Sequence, residues 1–359
     1  MRFAFFGSSL VSSYWNGACT YYRGLVRGLH DRGHEVTFYE PIAYRRQEHR
    51  DIDDPSYARV VIYPAETEEQ VLGAVQSARG AADVVVKTSG VGVHDDLLEQ
   101  AVLDLDAPVT VFWDVDAPAT LARMEADPAD PLRARVAAFD LVLTYGGGDP
   151  VVRRYAALGA RACVPVYNAL DPATHHPVAP RAELAADLTF LGNRLPDREA
   201  RVEEFFFRPV HLLAQRTFLL GGQGWEERAA PNLRYLGHVA PSEHNALNCS
   251  ALAVLNVSRE SMAANGFSPA TRVFEAAGAG ACLITDAWEG IERFLEPGEQ
   301  VLVARDGVEV AELLAGLDPA RGARIGASAR RRLLAEHTYA QRAEQVEAIL
   351  QARPARAAA

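Results

Sequence analysis

Short apolar runs alternate with amphipathic stretches along the first half of the chain. An apolar run at 3–6 is followed by the amphipathic stretch TYYRGLVRGLHDRG and then by EVTFYEP, which together predict a strand, a helix and a second strand. Further strands are predicted at 60–63, 83–87, 109–113 and 140–144, with helices at 68–79 and 95–103. This alternation is typical of a doubly wound parallel sheet with helices on both faces.

The same alternation restarts at Asp187 and predicts a second α/β domain. A proline-rich run that ends at Pro180 separates the two halves. Strands of the second half are predicted in DLTFLGN and at 217–220, 233–236, 252–257 and 281–285, and helices at 308–317 and 320–350. The predicted parts of the chain are a first domain at 1–168, a linker at 169–182, a second domain at 183–335, a C-terminal helix at 336–352 and a disordered tail at 353–359.

Composition is that of an ordinary globular protein with room for two cores. The chain has 359 residues, of which 49% are hydrophobic and 23% charged, and its net charge of −11 argues against binding to a nucleic-acid backbone. No run approaches the ~18 apolar residues that a membrane span needs, and no signal-peptide pattern is present. The cysteines lack the spacing of a metal site or a disulfide framework, which predicts reduced thiols in a cytoplasmic protein.

The stretch 265–290, NGFSPATRVFEAAGAGACLITDAWEG, carries the clearest candidate site. Ser268 followed by Pro269 predicts the start of a helix, which places Arg272 and Glu275 on one face of its first turns. The free amides of a helix N-terminus bind phosphate, Arg272 adds a planar fork of donors, and Glu275 offers acceptors of the kind that hold ribose hydroxyls. The alternative interpretation is an ordinary surface ion pair on a helix.

Two other segments of the second half supply candidate donor-binding residues. Arg194 and Arg198 stand at a predicted helix start, where either side chain can reach a phosphate, although a solvated charged helix start explains them equally well. Asp197 is expected to cap that helix. Asn256 lies near the end of the apolar run LAVLNV, and it either satisfies neighbouring backbone or faces a ligand.

Three residues of the first half are candidate acid–base groups. Asp114 and Asp116 follow the strand predicted at 109–113, where the ligand crevice of a parallel sheet opens. Asp114 is the preferred general base on an acceptor hydroxyl, because Asp116 also suits the cap of the helix that begins near Pro118. His94, at another predicted helix start, is the third candidate.

The predicted strands of the first half end in loops rich in glycine and serine, which should line one crevice. The loop after the first strand lacks a G-x-G-x-x-G fingerprint, so a dinucleotide is not expected there. Trp15 in that loop is either a ligand-facing residue or part of the core. The candidate loop residues are Gly7, Ser8, Ser9, Trp15, Asn16, Gly90, Gly92, Tyr145 and Gly146.

The segment RVFEAAGAGACLIT, with IERFLEPGEQVLV at 291–303, resembles the donor-binding region of the CgeB-like group of GT-B glycosyltransferases. The resemblance extends to the aspartate-rich turn at 113–118 and to VPVYNALDPATHHP at 164–177, whose Asn168, Asp171 and Pro177 match an Asn-x-x-Asp…Pro pattern. Ala169 and the pair His175-His176 depart from that pattern, which has Gly and Phe at those places.

This resemblance implies a GT-B fold, in which two Rossmann-like domains face each other across a cleft that holds the active site. It implies transfer of a sugar from a nucleotide diphosphate sugar to an unidentified acceptor. The turn with Gly222 and Trp225 would lie near the nucleotide base, Asn168 and the loop after the first strand would face the cleft, and the last helix would cross back to the first domain. Three alternatives stay open: a nucleotide-sugar epimerase of the same fold, a non-catalytic sugar- or nucleotide-binding protein of the spore-envelope type and, least expected, an NAD-dependent enzyme.

Neither a metal nor another cofactor is predicted. Asp114 and Asp116 have the literal D-x-D spacing of a metal site, but they lie in the half that binds the acceptor in GT-B enzymes. The adjacent histidines at 175 and 176 lack a partner cluster and make a poor site. The helix N-terminus, Arg272 and Arg198 would instead neutralise the leaving diphosphate.

Overall fold

The computed structural model describes residues 1–14 and 16–352. The chain divides into two compact units, one formed by Met1–Tyr167 with the C-terminal segment from Tyr339 onward, and the other by Asn168–Thr338. Trp15 and the tail predicted at 353–359 lie outside the described residues. None of the described helices combines the length and the apolar character that a membrane crossing requires.

A parallel sheet of seven strands forms the centre of the first unit. These strands are β1 (Arg2–Phe6), β2 (Glu35–Pro41), β3 (Arg59–Tyr63), β4 (Val84–Thr88), β5 (Val109–Asp114), β6 (Leu141–Thr144) and β7 (Cys163–Pro165). They lie in the order β3-β2-β1-β4-β5-β6-β7, which reverses direction between β1 and β4. In sheets of this type ligands bind beyond the carboxyl ends of the strands at such a reversal.

The helices of this unit cover both faces of the sheet, and strands such as β4 are therefore buried along their whole length. Helix start signals in the sequence are visible in the structure: Thr67 and Gln70 form a reciprocal capping box before the second helix. The helices are α1 (Cys19–Asp31), α2 (Glu68–Gln76), α3 (Asp95–Leu103), α4 (Ala117–Ala126), α5 (Pro131–Arg135) and α6 (Gly148–Ala157), with short 3-10 helices at Arg46–His49 and Val136–Ala138.

The second unit repeats the same plan with six parallel strands. The strands are β8 (Ala186–Leu191), β9 (Phe218–Gly221), β10 (Leu233–Gly237), β11 (Ala251–Asn256), β12 (Leu283–Asp286) and β13 (Leu302–Ala304). Their order is β10-β9-β8-β11-β12-β13, so the reversal falls between β8 and β11. The prediction of two Rossmann-like α/β domains is confirmed by these two sheets.

The helices of the second unit include a stretch at 199–212 in which a π-helix, Glu203–Phe207, joins two short α-helices. Such π segments often occur near functional sites. The α-helices are α7 (Glu199–Val202), α8 (Arg208–Leu212), α9 (His244–Ser250), α10 (Glu260–Asn265), α11 (Thr271–Gly278), α12 (Gly307–Ala315) and α13 (Pro319–Glu336), with 3-10 helices at Ala182–Leu184, Pro241–Glu243 and Ile291–Arg293.

The helix predicted at 320–350 is interrupted: α13 ends at Glu336, and α14 runs over Tyr339–Gln351. At this break the His337 carbonyl accepts a hydrogen bond from the Leu170 amide (2.8 Å). Helix α14 packs on α1 in the first unit. Gly24 makes that approach possible, since a Cβ atom there would lie 2.1 Å from the Tyr339 ring.

Candidate functional site

Helix α11 begins at Thr271, so the predicted start at Ser268 and Pro269 is wrong. The Ser268 hydroxyl donates to the carbonyl two residues before it (2.9 Å) and does not cap the helix. The Pro269 carbonyl accepts a hydrogen bond from the side chain of Asn168 (3.1 Å), a buried residue that thereby positions this loop. The later start makes Arg272 the second residue of the helix, beside its free amides.

Arg272 and Glu275 form a buried ion pair, and the interpretation as an ordinary surface pair does not fit. Arg272 Nη1 lies 3.1 Å from Glu275 Oε2, and the side chains are only 13% and 10% exposed. Neither Nε nor Nη1 of Arg272 makes a hydrogen bond, because the N–H bonds are not directed at the carboxylate despite the short distance. Buried N–H groups without partners are costly, so this guanidinium offers donors that a bound anion can satisfy.

Glu275 stays ionised although it is buried. Burial raises its pKa, but Arg272, His175 and His244 together lower the pKa to below its usual value. His175 Nε2 lies 3.9 Å from Glu275 Oε1, the carboxylate oxygen that faces away from Arg272. An ionised carboxylate accepts several hydrogen bonds and can therefore hold the two hydroxyls of a ribose.

Arg194 and Arg198 are the two arginines of the helix start predicted after β8. Arg198, together with Arg259 and Arg272, forms a positively charged region. Burial lowers the pKa of Arg198 to about 10, and the positive charges of Arg259 and Arg272 also lower it. At that pKa the group is still charged at neutral pH. Its Nε atom is buried without a hydrogen bond. Arg194 is instead exposed and pairs with Glu199 at 2.5 Å.

Asp197 does not cap the following helix, contrary to the prediction. Its carboxylate accepts a hydrogen bond from Arg259 Nε at 2.5 Å, and its carbonyl accepts one from the Glu260 amide at 2.9 Å. Asp197 therefore orients Arg259, a residue that the sequence did not single out. The loops after β8 and β11, where the strand order reverses, each supply one arginine to the charged region.

The glycine turns after β8 and β9 are in direct contact. Gly222 and Trp225 both take part in this contact. Gly222 has a φ of +117°, and a Cβ atom there would lie 2.2 Å from the Gly192 carbonyl oxygen. Trp225 is 1% exposed, and its indole Nε1 donates to that same carbonyl (2.8 Å). Trp225 thus supports the turn from inside the core, and its buried ring does not fit the predicted contact with a nucleotide base.

Asn256 at the end of β11 faces neighbouring side chains within the unit. Its Nδ2 atom donates to Thr285 Oγ1 (3.0 Å) and lies 3.5 Å from Asp286 Oδ1. Asp286 is fully buried and also pairs with Arg201 Nη2 (2.6 Å). Burial raises the pKa of Asp286 above its usual value, and the contact with Arg201 offsets only part of this rise. Asn256 therefore belongs to a buried network that fixes the ends of β11 and β12.

Asp114, the preferred general base of the sequence analysis, is enclosed in the structure. Asp114 is fully buried, and burial raises its pKa against the lowering effect of its hydrogen-bond donors. Its carboxylate oxygens accept hydrogen bonds from Ser89 Oγ (2.7 Å), Thr120 Oγ1 (3.0 Å), Tyr155 Oη (2.5 Å) and the Asp116 amide (3.0 Å). A base must come within hydrogen-bond reach of its substrate. The Asp114 side chain instead ties together the ends of β4 and β5 and the helices α4 and α6.

Asp116 and His94 are both partly exposed, and each precedes a helix. The Asp116 side chain does not cap α4. The alternative role of Asp116 as a helix cap is therefore not seen in the structure. His94 precedes α3 with a positive φ of +49°, an uncommon conformation for a residue other than glycine. Both side chains stay candidates for acid–base roles.

The loop after β1 is held together by its own side chains. Asn16 Nδ2 donates to the carbonyls of Ser9 (2.9 Å) and Ser12 (3.1 Å), and Ser8 Oγ donates to Asn16 Oδ1 (3.0 Å). Gly7 is also buried, and a Cβ atom there would meet the ring of Phe38 at 2.4 Å. These polar side chains serve the loop itself, which weakens the prediction that they contact a ligand.

The other predicted loop residues are divided between exposed and packed positions. Gly90 is exposed and has a φ of +66°, whereas Gly92 accepts a hydrogen bond from Tyr44 Oη at its carbonyl (2.5 Å). Tyr145 is partly exposed, with its ring 5.5 Å from that of Tyr21. The carbonyl of Gly146 accepts a hydrogen bond within its own turn (2.9 Å).

His244, Arg259 and Asp286 were missed in the sequence, although they lie in or beside the candidate site. Each comes from a different segment, and no local spacing links them to Arg272 or Glu275. The only available signal was position, because Arg259 and Asp286 lie at the carboxyl ends of strands that parallel sheets use for ligands. For His244 the sequence offers no such signal.

His244 should make the folded state less stable in weak acid. Burial lowers its pKa to about 4, with the charge of Arg272 adding to the effect and Glu275 opposing it. Between pH about 6.5 and about 4 the unfolded state takes up a proton that the folded state does not, so stability falls as pH falls through this range, by up to about 3 kcal/mol.

Urea unfolding at a series of pH values measures this dependence. His244→Gln should flatten the curve, whereas the exposed His211→Gln should leave it unchanged. A wild-type curve that is flat between pH 6.5 and 4 would contradict the low pKa of His244.

Comparison with known proteins identifies the fold of the chain and a family model that matches part of its second half. Residues 198–348 match the family model described as glycosyl transferase-like. No curated protein is similar to the chain in sequence. Sucrose-phosphate synthase from Thermosynechococcus elongatus is similar in structure with a TM-score of 0.73 and 14% identity, over 98% of each chain.

Two further solved structures are similar over nearly the full length of both chains. HepE of Anabaena, solved with UDP and glucose, has a TM-score of 0.69 and 15% identity over 98% of this chain and 100% of its own. The E. coli trehalose-6-phosphate protein, solved with UDP-2-fluoro glucose, has a TM-score of 0.69 and 9% identity over 99% of this chain and 100% of its own. The chain therefore has the GT-B fold, and its residues 198–348 match the glycosyl transferase-like family model.

Proposed function

We propose that this protein is a glycosyltransferase that moves a sugar from a nucleotide diphosphate sugar to an acceptor. The observation that carries the proposal is Arg272 in the first turn of α11, close enough to Arg198 for its charge, with that of Arg259, to lower the pKa of Arg198. Arg198 and Arg272 both hold buried N–H groups without a hydrogen bond. A diphosphate supplies acceptors for such donors, and Glu275 supplies acceptors for the adjoining ribose.

The chemistry of transfer requires that the negative charge on the departing diphosphate be stabilised. Fixed cations and helix amides do this without reorganising, provided that they surround the phosphate oxygens. We therefore propose that Arg198, Arg272 and the amides of α11 replace a divalent ion, and that transfer needs no metal or other cofactor. Uridine diphosphate sugars are the first donors to test, because HepE was solved with UDP and with UDP-glucose.

On the acceptor side, the proposed acid–base candidates are Asp116 and His94. Both are partly exposed, whereas Asp114 is enclosed by its hydrogen-bond donors. In this proposal Asp114 positions the turn that carries Asp116, through the hydrogen bond from the Asp116 amide (3.0 Å). The acceptor itself is a small molecule, a glycan or a protein.

We also propose the finer assignment to the CgeB-like group and a cytoplasmic location. The segments RVFEAAGAGACLIT and IERFLEPGEQVLV support the group. The cysteines of the chain are free thiols, which suits a reducing compartment; they are Cys19, Cys163, Cys249 and Cys282.

Nucleotide binding should raise the thermal stability of the protein. A ligand present at 100 times its Kd should stabilise the folded state by about 2.7 kcal/mol. Melting curves with UDP, ADP, GDP, TDP and the corresponding glucose nucleotides therefore identify the donor.

Release of nucleotide from that donor is then followed with a panel of acceptors. The rate is measured with and without excess EDTA, and EDTA should leave it unchanged.

The same measurements separate the alternatives. An epimerase would isomerise the sugar nucleotide without transfer, and a non-catalytic binding protein would be stabilised without turnover. The absence of any stabilisation by nucleotides or nucleotide sugars would overturn the proposal. Loss of activity in EDTA, with recovery on addition of Mg²⁺ or Mn²⁺, would overturn metal independence alone.

A further inference from the structure

His175, His244 and Glu275 come together in the second unit, although the sequence predicted no histidine cluster there. One potential ligand atom from each residue lies within 4.8 Å of the others. His175 and Glu275 are buried, and His244 is partly exposed. In the folded chain His175 therefore has the partners that its sequence neighbourhood lacks.

The hydrogen bonds around His175 are the basis on which we assign its ring proton. With the Thr174 hydroxyl donating to the Asp171 carbonyl (3.3 Å), we place the proton on His175 Nδ1, which lies 3.0 Å from that hydroxyl. His175 Nε2 then carries a lone pair, and it faces Glu275 Oε1 at 3.9 Å. Two acceptors thus face each other with no proton between them.

His244 adds a third ligand atom. One of its ring nitrogens lies within 4.8 Å of the ligand atoms of His175 and Glu275. Metal-binding histidines commonly hold their outer N–H on an oxygen and leave the inner nitrogen for the metal, which is the arrangement of His175 beside Thr174. A cation placed among these three ligand atoms would stabilise them.

We propose that His175, His244 and Glu275 form a binding site for a divalent transition metal of the Zn²⁺ type. Two imidazoles and one carboxylate are a known zinc ligand set, with a fourth position left for water. Bonds of about 2.0–2.1 Å in a tetrahedral arrangement place ligand atoms about 3.3 Å apart. The three ligand atoms lie within 4.8 Å of one another, so they must close by up to about 1.5 Å on binding.

Arg272 modifies this site without blocking it. Its guanidinium faces Glu275 Oε2, whereas His175 faces Oε1, so the carboxylate can serve both partners. The positive charge of Arg272 opposes a metal ion nearby. Removal of that charge, as in Arg272→Gln, should therefore tighten metal binding.

The metal would regulate the protein rather than catalyse transfer. If Glu275 also holds the ribose, as the proposed function requires, metal and nucleotide compete for the same carboxylate. Zn²⁺ should then raise the apparent Kd for UDP, and EDTA should restore it. This consequence rests on the proposed function, whereas metal binding itself does not.

Metal binding is measured on the full chain, freed of metal and without nucleotide. Co²⁺ is added in place of Zn²⁺, because tetrahedral Co²⁺ absorbs visible light strongly and Zn²⁺ does not. One equivalent of Co²⁺ should produce an absorption band that Zn²⁺ abolishes. The band should be lost in His175→Ala and His244→Ala, and it should persist in the matched control His176→Ala. Thr174→Val, which removes the outer partner of His175, should weaken binding by roughly 10–100-fold.

Each outcome decides one of the two proposals. Absence of the band in the wild-type protein, or its persistence in both His175→Ala and His244→Ala, would overturn the metal site. Circular dichroism and melting curves show whether each variant is folded. Metal binding without any nucleotide binding supports the metal site and contradicts the proposed function. A UDP affinity that Zn²⁺ leaves unchanged would overturn the shared use of Glu275.

Discussion

Arg272→Ala is expected to weaken nucleotide diphosphate binding by about 1.5–3 kcal/mol, roughly 10–150-fold in Kd. The guanidinium stands at the second position of α11 and holds buried N–H groups that no protein atom satisfies. A bound diphosphate would turn these groups into charge-assisted hydrogen bonds. Titration calorimetry with the best nucleotide of the thermal screen measures the difference between the two proteins.

Two further variants separate the role of this guanidinium from general effects of charge. Arg305, which precedes α12, also pairs with a glutamate, Glu309 of that helix, but its side chain is 81% exposed, so Arg305→Ala should leave nucleotide binding unchanged. Arg272→Lys keeps the charge but loses the planar fork, and its affinity should lie between those of Arg272→Ala and the wild type. A folded Arg272→Ala protein with unaltered affinity would remove this residue from the donor site.

The fold was largely predictable because parallel sheets covered on both faces leave a strong pattern in the sequence. A strand such as β4, with five buried residues in a row, is recognisable without any knowledge of its neighbours. Helix ends were less predictable, as Ser268 shows. Its hydroxyl donates to a carbonyl in the preceding turn, and the next residue is held by Asn168 from 101 positions away in the chain. Local spacing contains no trace of such bonds.

The candidate site was predictable only where its residues lie close together in the sequence. Arg272 and Glu275 share one helical turn, so their common face followed from the spacing alone. His175, His244 and Arg259 reach the same region from separate segments, and only the folded chain brings them together. Whether a carboxylate after a strand points outward or inward is decided by the neighbouring hydroxyls, as the enclosed Asp114 shows.

Asp114→Ala is expected to lower the free energy of unfolding by about 3–5 kcal/mol. The substitution leaves the hydroxyls of Ser89, Thr120 and Tyr155 and one backbone amide without their acceptor, and each unsatisfied buried group costs about 1–3 kcal/mol before the hydroxyls reorient. A loss of this size is a large part of the 5–15 kcal/mol typical of folded proteins, and it should lower the melting temperature by roughly 6–20 °C. Urea unfolding and differential scanning calorimetry measure both quantities.

Asp114→Asn tests whether this carboxylate acts through hydrogen bonds alone. The amide keeps one acceptor oxygen but turns an N–H toward donors, so its stability should fall between those of Asp114→Ala and the wild type. Asp149→Ala, which removes an exposed carboxylate from α6 in the same unit, should change the stability by no more than about 0.5 kcal/mol. Because Asp114 is enclosed, the Asn variant should retain transfer once it is folded. If instead the Asn variant kept wild-type stability but lost transfer by roughly 10²–10⁴-fold, the size of a general-base contribution, Asp114 would be a base after all.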